Sequence, residues 1–492
     1  MSGRRRRGAN PGRPAGLVAV VLVAGLLTGP AGCTGERTGP GPTPPPAESS
    51  TAGPEFAPGA AGAGDPYFPA AGNGGYDATH YDIAVGYDPA TDELAGEATL
   101  TATATADLSR FNLDLSGLTV ESVTVDGDPA GFDRDEGELV VTPATGLPSG
   151  ARFTVSVRYG GVPRPATHPR LGSDGFHHTG DGAFALGQPQ SAATWFPVND
   201  HPLDKATYTI AVTVPEGLVA ISNGLADGES TADGRTTWTW RMPTPMASYL
   251  TVLAIGDYRV HTSEHDGRPM VIAVHDSLPA GVDEQLESTG RIADFLATRF
   301  GPYPFEAYGG IVLADNRIRF ALETQSRPIY GPAFFAGGRD GTWVIVHELA
   351  HQWFGDSVSV HHWDDIWLNE GFATYAEWLW EEHAGGRRVG RQFDAAYNDG
   401  DGRFWSVPPG DPGPDNLFHP AVYRRGAMTL HALRLAVGDD AFFRILREWA
   451  ADNRDGNADT ARFIAHCERV SGELLGDLFD AWLFEPDRPP RP

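Results

Sequence analysis

Two histidines and a glutamate of the right spacing for metal chemistry occur in the segment His347-Glu348-Leu349-Ala350-His351. On a helix, residues four apart lie on one face, so both imidazoles can reach one metal ion. Trp353 and Phe354 follow, and they are apolar enough to help bury such a helix. The alternative is a helix that buries two histidines without a metal, since a chain with 16 histidines can contain this pattern by chance.

A downstream acidic residue favours the metal site. Glu370 lies 19 positions after His351, at the start of a second helical pattern. Its neighbours Trp367 and Phe372 are apolar, and an unpartnered carboxylate among such residues is costly. Two histidines, one glutamate and a water molecule form a catalytic rather than a structural zinc site. We therefore predict one Zn²⁺ per chain, bound by His347, His351 and Glu370.

These residues resemble the signature of the aminopeptidase N family of zinc metallopeptidases, in which HExxH is followed by 18 residues and a glutamate. Three more segments resemble that family, and they occur in the family's order. They are residues 188–205, similar to the segment where the family's β domain meets the active site; Phe320-Ala321-Leu322-Glu323-Thr324, similar to its GxMEN exopeptidase motif; and Val422-Tyr423-Arg424-Arg425-Gly426-Ala427, similar to its catalytic-tyrosine segment. The resemblance covers most of residues 76–480.

The resemblance implies a role for each matching side chain. Glu348, placed between two ligands, is the expected general base, and Tyr423 is the expected donor to the oxyanion. Without the resemblance, Tyr423 would be an ordinary helix-packing aromatic residue. Glu323 is expected to bind the free ammonium of the substrate, which would limit cleavage to the first residue. Its helper from the β domain is Gln188 by ungapped counting, although Gln190 is close enough to compete.

Three residues differ from the GxMEN motif, two of them with a marked change of size or polarity. Phe320 replaces its glycine and Thr324 replaces its asparagine, whereas Leu322 replaces its methionine at similar volume. A phenylalanine at the glycine position would narrow the substrate channel or shift the strand register. Recognition of a free amine through Glu323 is therefore an expectation that the motif alone leaves open.

The elements that must position these residues divide into two parts. Short alternating apolar runs, such as Tyr81, Ile83 and Val85, are separated by turn-forming residues and predict an antiparallel β sandwich or saddle over 76–258. From 259 to 485 the resemblance implies a thermolysin-like, mostly helical catalytic domain. The predicted fold class is thus a multidomain chain, β followed by α+β, with a short tail over residues 486–492.

The N-terminus has the order of an export signal. A basic stretch (residues 4–7), an apolar run (residues 17–27) and small residues before Cys33 predict a signal peptide over residues 1–32. The ending Ala-Gly-Cys resembles the lipobox of bacterial lipoproteins, which would make Cys33 a lipid anchor. A flexible Pro/Gly/Ala-rich tether is predicted over 33–75. We expect an exported protein that is anchored at the cell surface, or secreted if Cys33 is not lipidated.

Composition excludes several classes of protein. A formal net charge of −27 argues against binding to nucleic acid, which requires clustered lysine and arginine. Two cysteines cannot form a disulfide framework, and Cys467 is expected to be a buried structural thiol. Neither the oligomeric state nor the preferred first residue of a substrate can be inferred from the sequence.

The sequence thus predicts a zinc aminopeptidase acting on peptides with free N-termini. The alternatives are a peptidase or another hydrolase of the same fold with altered end recognition, and a catalytically silent surface lipoprotein. Large family members continue with an all-helical domain over the active site, and we expect this protein to lack that domain. An open cleft that admits longer peptides is the corresponding expectation.

Overall fold

The computed structural model describes residues 55–492. The predicted signal peptide, Cys33 and the first part of the predicted tether lie outside the described residues. Within residues 55–492, no helix combines the length and the hydropathy that a membrane span requires. Cys467 is buried and free, as expected of a structural thiol.

Seventeen strands form the N-terminal part of the described chain. In chain order they are β1 (Ala57–Pro58), β2 (Tyr76–Asp88), β3 (Glu93–Ala104), β4 (Leu108–Asp114), β5 (Thr119–Val125), β6 (Asp128–Pro129), β7 (Gly131–Asp135), β8 (Glu138–Thr142), β9 (Arg152–Gly161), β10 (Ala166–His168), β11 (Gly172–His178), β12 (Ala183–Leu186), β13 (Ala206–Pro215), β14 (Val219–Ile221), β15 (Leu225–Ala232), β16 (Arg235–Met246) and β17 (Leu253–Gly256).

These strands form three open sheets. The largest has the order β15-β16-β13-β2-β3-β9-β5-β6, and the others are β1-β4-β8-β7 and β10-β11-β12-β17-β14. Most neighbours are antiparallel, but β2 pairs with β13, and β1 with β4, in parallel. Along β2, Tyr81, Ile83 and Val85 are buried while Asp82 and Ala84 are exposed. Alternation along the sequence therefore turns one face of the sheet toward the core, as predicted.

Helices dominate the rest of the chain, with one more sheet at their edge. The elements are β18 (Tyr258–His265), β19 (Arg268–His275), α1 (Gly281–Leu286), α2 (Thr289–Phe300), β20 (Tyr308–Val312), β21 (Ala321–Leu322), β22 (Ile329–Tyr330), α3 (Thr342–His351), β23 (Ser359–Val360), α4 (Trp367–His383), α5 (Val389–Asp399), α6 (Gly402–Trp405), α7 (Pro420–Val437), α8 (Asp439–Asp452), β24 (Asn457–Ala458), α9 (Thr460–Ser471) and α10 (Gly476–Phe479). The sheet order is β18-β19-β20-β22-β21, so β21 is an edge strand, and β23 pairs separately with β24.

The structure corrects the end of the predicted tether. The sequence predicts a flexible tether up to residue 75, but residues 55–75 pack against the folded body. Strand β1 pairs with β4, and Phe68 and Ala71 belong to the hydrophobic core. The sequence suggested a linker because proline, glycine and alanine are frequent there and the apolar residues show no periodicity.

The buried carboxylate of Asp65 fixes this segment in place. It accepts hydrogen bonds from the backbone N–H groups of Tyr67 (2.8 Å), Phe68 (2.9 Å) and Trp363 (2.8 Å). His201 Nε2 lies 3.2 Å from Asp65 Oδ2, and both side chains are fully buried. The segment is therefore tied both to the β-rich part and to the chain just before α4.

Replacing Asp65 should weaken the folded state in a pH-dependent way. Burial raises the pKa of Asp65, but its hydrogen bonds, led by the one to His201, outweigh burial and lower the pKa to about 2. Since the folded-state pKa lies below the unfolded value, the stabilisation is complete above about pH 4 and is lost as the pH falls toward 2. We expect Asp65→Asn to reduce the free energy of unfolding by about 2 kcal/mol at pH 7.

Urea unfolding of wild type and Asp65→Asn between pH 7 and pH 3 measures this effect. The difference between the two proteins should narrow as the pH falls below 4. The control Asp133→Asn removes an exposed carboxylate of β7 and should leave stability unchanged. A difference between wild type and Asp65→Asn that stays constant with pH would contradict the assignment.

Candidate active site

All seven predicted site residues line one cavity of about 640 Å³. The β-rich part contributes one of them just after β12, the edge strand β21 is followed directly by another, and helices α3, α4 and α7 contribute the rest. They are Gln188, Glu323, His347, Glu348, His351, Glu370 and Tyr423. Gln190, the competing candidate, lines a smaller neighbouring pocket instead.

Three donor atoms converge as a zinc site requires. Glu370 Oε2 lies 3.2 Å from His347 Nε2 and 3.4 Å from His351 Nε2, and all three residues are buried. Ligand atoms that share a tetrahedral zinc at about 2.0–2.1 Å are separated by roughly 3.3 Å, so these residues fit that ion. Burial raises the pKa of Glu370, but the charges and hydrogen bonds of the two histidines lower it to about 2. The carboxylate is therefore ionised at neutral pH.

Each imidazole is held through its other nitrogen. His351 Nδ1 lies 3.0 Å from the carbonyl oxygen of Phe354, and His347 Nδ1 lies 2.6 Å from Glu377 Oε1. A hydrogen bond at Nδ1 places the proton there and leaves the Nε2 lone pair free for a metal. Sequence reasoning missed Glu377. The available signal was its position seven residues after Glu370, which puts both on one face of α4.

Two glycines bring α4 and α7 into backbone contact. A Cβ atom at Gly371 would lie 2.9 Å from main-chain atoms of Gly426, so neither position has room for a larger residue. Glu370 precedes the first glycine, and Tyr423 lies one turn before the second. The close crossing thus places the tyrosine beside the metal donors, where its ring stacks on that of His347 at 5.9 Å and 22°.

The other end of the cavity is built around Glu323. Gln188 Nε2 donates to Glu323 Oε1 at 3.0 Å, which selects Gln188 over Gln190 as its partner. Gln352 fixes the strand, since its Nε2 donates to the carbonyl oxygen of Glu323 (2.9 Å) and its Oε1 accepts from Ser326 N (2.7 Å). Gln352 was also missed from sequence, although it directly follows His351. Burial raises the pKa of Glu323.

The β21–β22 pairing is regular between the two larger departures from the motif, Phe320 and Thr324. Ala321 pairs with Tyr330 and Leu322 with Ile329, while the carbonyl oxygen of Phe320 accepts from the N–H of Gly331. The phenylalanine ring is 38% exposed at the cavity. The Thr324 hydroxyl is buried and donates to the carbonyl oxygen of Arg327 at 2.6 Å. Phe320 thus borders the cavity, and the strand that follows it pairs without a bulge.

Comparison with known families identifies the class of protein. Residues 77–250 match the Peptidase M1 N-terminal domain, and residues 284–482 match the Peptidase family M1 domain. The M1 zinc metallopeptidase from Deinococcus radiodurans has a solved structure that superimposes with a TM-score of 0.79 at 30% identity, covering 87% of this chain and 99% of that one. The chain belongs to peptidase family M1. This confirms the predicted family and the β-rich domain followed by a helical catalytic domain.

Curated relatives are aminopeptidases. Aminopeptidase B from Mus musculus is 29% identical over 333 residues, which is 62% of this chain and 50% of that protein. Aminopeptidase N from Streptomyces lividans is 30% identical over 314 residues, or 58% of this chain and 36% of that protein. The chain thus spans about half or less of the length of these relatives. Family membership and the buried donor set together agree with zinc as the predicted cofactor.

Removing the carboxylate behind His347 should weaken metal binding. Glu377→Gln replaces the charged partner of Nδ1 by a neutral amide, so the imidazole is a poorer ligand and is less firmly oriented. We expect zinc affinity to fall about 10- to 100-fold. Competition with a chromophoric chelator measures this without reference to activity.

The matched control is Glu381→Gln, one turn further along α4. Glu381 pairs with Arg387 at the surface and lies away from the cavity, so its replacement should leave zinc affinity unchanged. Equal affinities of wild type and Glu377→Gln would show that the 2.6 Å contact does not support the metal site.

Proposed function

We propose that this protein is a zinc-dependent aminopeptidase, which releases the first residue from peptides with a free N-terminus. The hydrogen-bonded pair of Gln188 and Glu323, in the same cavity as the three metal donors, carries the proposal. The names of the relatives support the proposal, and a mutant of the D. radiodurans enzyme has been solved with a Tyr-Ser-Ala substrate. Mutant two-domain M1 enzymes have also been solved with L-tryptophan and with L-arginine.

The position of Glu323 accounts for removal of one residue at a time. Its carboxylate lies within 4.8 Å of ligand atoms of Glu348 and His351, so it is close to the site of bond cleavage. A free ammonium supplies the cation that this buried carboxylate needs, and charge-assisted hydrogen bonds of this kind are the strong ones. An ammonium held there leaves only the first peptide bond beside the metal donors.

In this proposal, one side chain of α3 and one of α7 take part in the hydrolysis. Zinc, when bound, would polarise the scissile carbonyl and make a water molecule more acidic. Glu348 lies between the two histidines on α3 and accepts a proton from the attacking water. It then passes that proton to the leaving amine. From α7, the hydroxyl of Tyr423 donates a hydrogen bond to the developing oxyanion.

We also propose that the chain is exported and anchored through a lipid on Cys33. The basic, apolar and small-residue order of residues 1–32 supports export, and the Ala-Gly-Cys ending supports lipidation. Mass spectrometry of the mature N-terminal peptide tests this. An unmodified N-terminus located elsewhere than residue 33 would refute the anchor and favour secretion.

Replacing Glu348 should stop catalysis while the metal stays bound. Glu348→Gln removes the proton acceptor but none of the three metal donors. We expect kcat to fall by about 10²–10⁴ with unchanged zinc content, measured by aminoacyl-substrate kinetics and elemental analysis. Full activity of Glu348→Gln would refute the assigned mechanism.

Replacing Tyr423 should slow catalysis without unfolding the protein. Tyr423→Phe removes the hydroxyl that donates to the oxyanion, so kcat should fall by about 10²–10³ with little change in stability.

Recognition of the free amine can be tested on both enzyme and substrate. Glu323→Gln removes the charge that the ammonium binds, so kcat/KM on a tripeptide should fall about 10- to 100-fold. An N-acetylated copy of the same peptide should resist wild-type enzyme. Glu93→Gln, at an exposed position of β3, is the control for loss of one negative charge. Efficient cleavage of the acetylated peptide would favour the alternative of altered end recognition.

A further inference from the structure

We propose that Asp174 binds the side chain of the substrate's first residue and makes the enzyme prefer N-terminal arginine or lysine. This inference rests on the proposed aminopeptidase function, because that function places the ammonium of the first residue at Glu323. The side chain of the same residue must then lie at the same end of the cavity.

The pairing of β11 with β12 places Asp174 at that end. Gly175 of β11 lies opposite Leu186 of β12 in an antiparallel ladder, so Asp174 lies opposite Gly187. The next residue along the chain is Gln188, whose amide bonds to Glu323 at 3.0 Å. Asp174 lines the same cavity as both of these residues. Its carboxylate therefore lies on the β-rich wall of the cavity that contains the proposed ammonium site, at the border with the smaller pocket that Gln190 lines.

This carboxylate has no cationic partner. Arg319 and Arg424 also line the cavity, but within residues 55–492 neither they nor any other basic side chain forms an ion pair with Asp174. Its Oδ1 atom is buried without any hydrogen-bond donor. Burial raises the pKa of Asp174 to about 7, and no neighbouring positive charge offsets this rise. A buried carboxylate without a partner is costly, and a cation brought by the substrate would remove that cost.

The walls around Asp174 suit a long basic side chain. Leu171 and Phe418 line the cavity together with Asp174 and provide apolar surface. The Arg170–Asp415 ion pair, at 4.0 Å, brings the loop before β11 against the segment that carries Phe418. Arginine and lysine combine an apolar stem with a charged head, so the stem can contact these walls while the head reaches the carboxylate. A glutamate in the same place would be repelled.

Four aminoacyl substrates with one common leaving group test the proposal: arginyl, lysyl, leucyl and glutamyl. Wild type should show the highest kcat/KM for the two basic substrates and the lowest for glutamyl. Asp174→Asn should lower kcat/KM for arginyl and lysyl substrates about 10- to 100-fold, because a charge-assisted contact is lost. The value for leucyl should change by less than about threefold, since its apolar contacts remain.

Two further variants separate recognition from structure. Asp174→Glu keeps the charge and should retain part of the preference for arginine, whereas Asp133→Asn removes an exposed charge of β7 and should change nothing. Equal losses of kcat/KM on arginyl and leucyl substrates in Asp174→Asn would indicate a structural role and overturn the proposal. Unchanged kcat/KM on both substrates would overturn it as well. A wild-type enzyme that released no first residue at all would instead refute the proposed aminopeptidase function.

Discussion

The contact of one buried carboxylate with two imidazoles is the interaction on which the rest of the site depends. Glu370 Oε2 lies 3.2 and 3.4 Å from the Nε2 atoms of His347 and His351. Removing a charged carboxylate from water is costly unless cationic or metal partners compensate for it. Those partners are on a different helix, so α3 and α4 must be held at a fixed distance. The Gly371–Gly426 contact then fixes α7 against α4 and adds the tyrosine.

Buried polar contacts between the two parts of the chain make the cavity a shared one. Arg327 donates to the carbonyl oxygens of Ser222 and Gly224, which joins the segment after β21 to the β-rich part. Lys205, the only lysine, donates to the carbonyl oxygen of Asp356 at 2.7 Å, close behind α3. Gln188 can meet Glu323 because such contacts fix one part against the other. The Gln188–Glu323 pair and the three metal donors therefore line one cavity that both parts of the chain build.

Much of the site could be predicted from the sequence because helix geometry depends on residues close together along the chain. Spacings of four and 19 residues identified the zinc donors, and family resemblance supplied Glu323, Tyr423 and the β-rich first domain. The missed residues, Glu377 and Gln352, act by holding others, and a second carboxylate or amide near a motif has many possible uses. The tether was predicted too long because Asp65 has partners more than a hundred residues away.

Residue type and short-range spacing in the sequence predicted the three metal donors, and alternating apolar runs predicted the β-rich part. The resemblance to a family added the proposed general base and the helical part. Tertiary structure decided which glutamine meets Glu323, which carboxylate orients His347, and where residues 55–75 pack. It also placed Asp174 at the wall of the cavity that Gln188 lines. These relations depend on pairing between distant strands and on contacts between helices, and the spacing of residues along the chain contains no record of them.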